Sequence, residues 1–146
     1  MKRMRGLYMV EFALTVSLLL IVIFACIEFG RATYTFAALN EGTRRAARLA
    51  AVCPVNDPAI TSAVNFMGAN GFTSANVSVN YLDANGASLG ATPALSTIYY
   101  VKVSVVGYTI PLSIPFLNPI LNSPSFAVTL PAESLGWSGA GVSTAC

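Results

Sequence analysis

From Leu7 to Ile27 the chain reads LYMVEFALTVSLLLIVIFACI, an apolar run of 21 residues interrupted by one charge, Glu11. Wound as a helix it is about 31 Å long, enough to cross the hydrocarbon core of a bilayer. A carboxylate in such a span costs on the order of 3 kcal/mol on insertion scales, so an intramembrane acid is a functional candidate from the outset. Either Glu11 has a partner, or it sits at headgroup level, four residues into the run, and is solvated there.

The flanks say which kind of segment this is. Lys2, Arg3 and Arg5 form a short basic head that ends at Gly6. The run exceeds a secretory signal core and leads into an alanine-rich helical stretch instead of a cleavage loop. The basic head favours a cytoplasmic N-terminus with the remainder exported; Arg31 opposes this weakly. From Arg31 to Val52 (RATYTFAALNEGTRRAARLAAV) there is no proline and one glycine, so the helix is predicted to continue to Val52, ahead of Pro54. Phe29, Phe36, Leu39, Thr43, Ala46 and Ala50 recur at spacings of three, four and seven, which predicts a narrow apolar and small-residue stripe. Arg44, Arg45 and Arg48 fall on the other side of the cylinder, either as a solvated face or as partners for acids on another helix. Glu41 and Arg45 are spaced for an i,i+4 pair, and Glu28 stands three residues before Arg31, near the membrane boundary. Glu28, Arg31, Arg44, Arg45 and Arg48 are thus candidate helix–helix contacts.

Beyond Cys53 the composition is that of a small β-rich domain, and the predicted class is α+β. Asn56 or Asp57 caps a short helix with Pro58 in its first turn and Ile60, Val64 and Met67 on one face. Val77, Val79 and Tyr81 alternate with polar residues, and Asp83-Ala84-Asn85-Gly86 reads as a turn. Val101, Val103 and Val105 make the strongest strand, and Phe126, Val128 and Leu130 the last. Between these two strands, Pro111, Pro115, Pro119 and Pro124 predict an irregular loop over 109–124, packed on the sheet or used as a contact surface.

Composition bounds the function classes. Only 10% of residues are charged and the mean hydropathy is +0.66, high for a wholly soluble domain. Past Arg48 the one base, Lys102, stands against Asp57, Asp83 and Glu133, which gives no phosphate-binding surface and argues against nucleic acid. There is no histidine, the acids show no paired spacing, and no glycine-rich phosphate loop follows a strand. No catalytic residue, metal ligand, cofactor or small-molecule substrate is expected. Cys26 lies within the apolar run and reads as a small packing residue. Cys53 and Cys146 both lie beyond the membrane, where an oxidising compartment allows a disulfide; the alternative is two unrelated thiols.

RG-LYMVEFAL, the apolar run, IEFGR and then LNEGTRRAARLAA resemble the TadE-like minor pseudopilins of bacterial tight-adherence (Flp-type, type IVb) pilus systems. The resemblance is close over residues 5 to 51 and loose over the distal domain, through its late apolar strand and Glu133. One departure is Val16-Ser17, where family members often carry a proline. The length of the distal domain also argues against a major Flp pilin. The resemblance implies cleavage by a prepilin peptidase between Gly6 and Leu7. That would divide the chain into a basic leader, 1–6, a pilin-type helix, 7–52, spanning the membrane over 7–27, and an extracytoplasmic pseudopilin domain, 53–146. It further implies a single-pass protein of the bacterial inner membrane, partnered by the peptidase, by other pilin and pseudopilin subunits and by the assembly platform. Cleavage would create an ammonium group on Leu7, and this group and Glu11 could offset each other's desolvation, within one helix or between neighbours. A single-pass protein with a partner-binding domain and no pilin-type processing is the alternative.

Overall fold

In the computed structural model, residues 4–65, 71–112, 120–138 and Cys146 are described. One helix dominates. α1 (Met4–Val52) is continuous over 49 residues, about 73 Å long at ~1.5 Å per residue. The helix assignment runs unbroken through Val16-Ser17, where no proline intervenes. Its first half is bare: Leu7 to Ile27 touch no other element closely enough to be buried. The second half is the spine of the domain.

α2 (Pro58–Asn65) packs on α1, its N-terminus closed by the Asp57 carboxylate, which accepts from the Ala59 N–H at 2.8 Å. Asn56, the other candidate cap, takes a left-handed conformation (φ 62°) and donates from its side chain to the Ala91 carbonyl instead. Ile60 and Val64 are buried as their spacing predicts, while Met67 lies outside the described residues.

Three antiparallel strands form the main sheet in the order β1 (Val77–Leu82), β2 (Tyr100–Val105), β5 (Ala127–Pro131). The register aligns Tyr81, Val101 and Leu130 in one row and Val79, Val103 and Val128 in the next, so one face of the sheet is apolar. That face meets α1, whose Leu39, Thr43, Ala46, Ala47, Ala50 and Ala51 are all buried. Alanine side chains end at Cβ, which lets the helix lie close against the valines. Thr43 resolves its buried hydroxyl by donating to the Leu39 carbonyl at 2.7 Å.

Within the stripe Phe29 is exposed, because where the domain first meets the helix it covers only the line through Glu28 and Ala32. Phe36, two turns further on, is half-buried and meets Phe126 with ring centroids 6.3 Å apart. The proline-rich segment is also more regular than its composition suggests. β3 (Thr109–Pro111) and β4 (Ile120–Asn122) form a short antiparallel ladder, with Pro111 opposite Ile120. A proline removes only its own N–H, and at the end of a strand in a two-stranded ladder that donor need not be used. Pro115 and Pro119 lie outside the described residues.

The far end of α1 is closed by residues 133–136. The Ala51 carbonyl accepts from the Glu133 N–H at 3.0 Å, and the Val52 carbonyl accepts from the Gly136 N–H and the Ser134 hydroxyl at 2.6 and 3.1 Å. These are carbonyls that a helix end leaves without intrahelical donors. Gly136 sits at φ 78°, and a Cβ there would lie 2.6 Å from Pro54 Cγ. Gly136→Ala is therefore expected to destabilise the domain by about 2–4 kcal/mol, combining a left-handed alanine with a clash. The check is equilibrium unfolding of the detergent-solubilised protein; unchanged stability would show that the 133–136 closure is not under steric constraint.

Tyr81 is buried beneath this end and its phenol oxygen accepts from the Asn56 N–H at 3.0 Å. Burial pushes its pKa above the ordinary 10.0, a shift that the Asn56 hydrogen bond partly opposes. The native state then holds this proton to higher pH than the unfolded chain does. Stability is fully present below about pH 10 and falls as pH rises through the native value. Unfolding midpoints measured across that range should show a shallower alkaline fall in Tyr81→Phe.

Candidate functional site

The bare half of α1 is the first feature to set out chemically. It contains a helix long and apolar enough to cross a membrane, with a mean hydropathy of 2.7 in its most apolar window and none of that window buried. Gly6 and Leu7 lie within the helix and are exposed, Leu7 at 67%. Glu11 is exposed too, and among the described residues nothing of its own chain pairs with its carboxylate. The Thr15 hydroxyl donates to the Glu11 main-chain carbonyl at 2.6 Å, which leaves the carboxylate untouched. Leu7 and Glu11 are four apart and so share a helix face one turn removed. Cys26 is exposed on the bare half rather than packed within the protein.

Where the domain first meets the helix, the charges are handled differently. Glu28 is 7% exposed, and Arg31 Nη1 donates to its carboxylate at 2.7 Å. Burying a carboxylate is tolerable only with such compensation. Tyr108, buried just after β2, lies near enough for the Arg31 charge to be felt: burial pushes the phenol pKa up and the guanidinium pulls it part of the way back. Phe72 meets Tyr108 edge-on at 5.3 Å. Glu28 and Arg31, paired in sequence, are thus brought against a third residue that sequence reasoning did not select. No spacing signal links Tyr108 to Arg31, 77 positions away.

Further along, Arg45 Nε donates to Glu41 at 3.0 Å, and Arg44 and Arg48 are exposed beside this pair. Cys53, buried at the end of α1, is bonded to Cys146, with their Cα atoms 5.8 Å apart and a sequence separation of 93. The 133–136 closure of α1 was missed by the sequence reading; its trace was the Ser134-Leu135-Gly136 turn, where a glycine follows a buried leucine. Among the described residues no group of three Cys, Asp or Glu side chains is placed to hold a metal ion.

The family model described as TadE-like protein matches residues 6–48, from the glycine before the apolar run to the last arginine of the basic face. Over that stretch, which is less than half of the chain, the sequence is similar to TadE-like proteins. The match ends before the sheet. No curated protein and no solved structure matches the chain.

Cross-linking Cys53 to Cys146 closes a loop of over ninety residues, and its removal is expected to cost ~2–5 kcal/mol. Non-reducing peptide mapping of the natively exported protein should recover a Cys53–Cys146 peptide pair. Alkylation of both thiols without prior reduction would count against the bond.

Proposed function

We propose that the chain is a minor pseudopilin, a structural and assembly subunit of a tight-adherence Flp-type pilus, matured by a prepilin peptidase between Gly6 and Leu7. The observation that carries this reading is the division of α1. One half is bare and apolar, with an unpaired Glu11; the other is the core helix of a small domain, and the TadE-like match runs from the first into the second. A subunit that passes from membrane to filament needs such a helix, because its apolar half must exchange lipid for neighbouring helices.

Glu11 is the register residue in this reading. Removing Lys2, Arg3 and Arg5 frees the N-terminus from the cytoplasmic surface, and the new Leu7 ammonium lies one turn from the carboxylate. Between subunits the same pairing forms only at a fixed axial offset, since either charge buried alone is costly. The leader lies in the cytoplasm, and the domain from Cys53 onward is periplasmic or extracellular. Glu28 with Arg31 sets the point at which the domain first covers α1, and the assembly platform and other pilin-type subunits are the partners.

Two measurements test this together. N-terminal sequencing or intact mass of the membrane-extracted protein should find Leu7 as the first residue; a chain still beginning at Met1, in cells with an active prepilin peptidase, would favour the unprocessed single-pass alternative. Glu11→Ala should be cleaved and inserted normally yet lose cross-linking to other subunits, with Glu11→Gln partly defective. Intact piliation in Glu11→Ala would show that Glu11 is only a headgroup-level residue.

A further inference from the structure

Beyond the membrane run the chain has five acidic residues, and four are already occupied. Glu28 binds Arg31, Glu41 binds Arg45, Asp57 caps α2, and Asp83 accepts from the Asn85 and Ala87 N–H groups to close its turn. Glu133 remains, beside the far end of α1. On the basic side Arg44 and Arg48 are exposed, four apart on one helix face, and neither takes a partner among the described residues.

Beside these arginines, between α1 and α2, lies an open groove of about 580 Å³. Leu49, Ala59, Ala63 and the disulfide-bonded Cys146 supply apolar lining, and Arg45, Arg48 and Ser62 supply polar lining. Arg45 is held by Glu41, but Arg48 in the lining and Arg44 one turn before it take no partner among the described residues. Uncompensated guanidinium groups beside an apolar surface call for a ligand with an apolar side and carboxylates along its edge. Lipid headgroups do not fit. Arg44 and Arg48 lie 17 and 21 residues past Ile27, about 26–32 Å along the axis, beyond both the headgroup layer and a Debye length of ~8–10 Å. A second copy of this chain fits poorly, having a single uncommitted carboxylate outside the membrane run to offer.

We propose that this groove seats an acidic amphipathic segment of a different pilus subunit, its apolar side on Leu49, Ala59 and Ala63 and its carboxylates on Arg44, Arg45 and Arg48. The inference rests on the reading of the chain as a pilus subunit, and adds which surface holds a neighbour and by what chemistry. It also accounts for three arginines clustered on an otherwise charge-poor protein.

The test places a photo-cross-linking residue at Ser62 in the full-length protein, in cells that assemble the pilus, with a second one at Leu18 on the bare half of α1 as a report on assembly. The Ser62 probe should label an acidic stretch of another subunit. Arg44→Glu with Arg48→Glu should lower that yield by about tenfold or more, since attraction becomes repulsion, while the Leu18 cross-link persists. Lysines in place of the acids in the labelled stretch should restore the yield. Thermal unfolding of the double variant should match the parent, because both arginines are exposed and unpaired. A Ser62 cross-link that is absent, indifferent to charge reversal, directed to a second copy, or formed with a stretch lacking acids overturns the assignment. Loss of the Leu18 cross-link from the parent protein as well overturns the subunit reading and the groove with it.

Discussion

A single uninterrupted helix stands bare over one half and is a core element over the other, and the rest of the structure follows from that. A hydrogen-bonded helix satisfies its own backbone, so it can stand bare in lipid over one half and act as a core element over the other without changing geometry. At about 73 Å it is far longer than the domain can cover. The division falls at Glu28, the first buried position among the described residues, where its carboxylate is paired with Arg31 as the domain first covers the helix.

The domain is organised to hold the covered half firmly. β2 is the central strand, and its three valines lie against a helix face built largely from alanines. The far end of α1 is enclosed twice: residues 133–136 donate to its terminal carbonyls, and the Cys53–Cys146 bond ties the last residue to the helix end. Both closures join the beginning of the domain to its end. A force on α1 along its axis therefore passes into the sheet through backbone hydrogen bonds and a covalent bond rather than through side-chain packing alone.

The two kinds of charge on α1 differ in how they are left. Glu28 and Arg31 are satisfied within the chain, as burial requires. Glu11, Arg44 and Arg48 are exposed and hold no partner among the described residues. In water an unpaired arginine costs little, but a carboxylate facing lipid does not rest easily, and this difference makes Glu11 the residue most dependent on its surroundings.

The long apolar half of α1 was legible in its residues, because hydrophobic length and the absence of proline act locally and need no tertiary context. The Glu28–Arg31 and Glu41–Arg45 pairs were likewise set by helical spacing alone, and the alternating valines of β1 and β2 by the two-residue period of a strand. What tertiary structure decided is where non-local partners met. It chose Asp57 over Asn56 as the cap of α2, since Asn56 is held in a left-handed conformation by Ala91 and Tyr81. It left Phe29 exposed by ending the domain short of it, and made a ladder out of a segment whose prolines had argued for a loop. It also set Tyr108 near Arg31 and Gly136 against Pro54. Each of these depends on two segments distant in sequence arriving at one place, which no periodicity in either segment encodes.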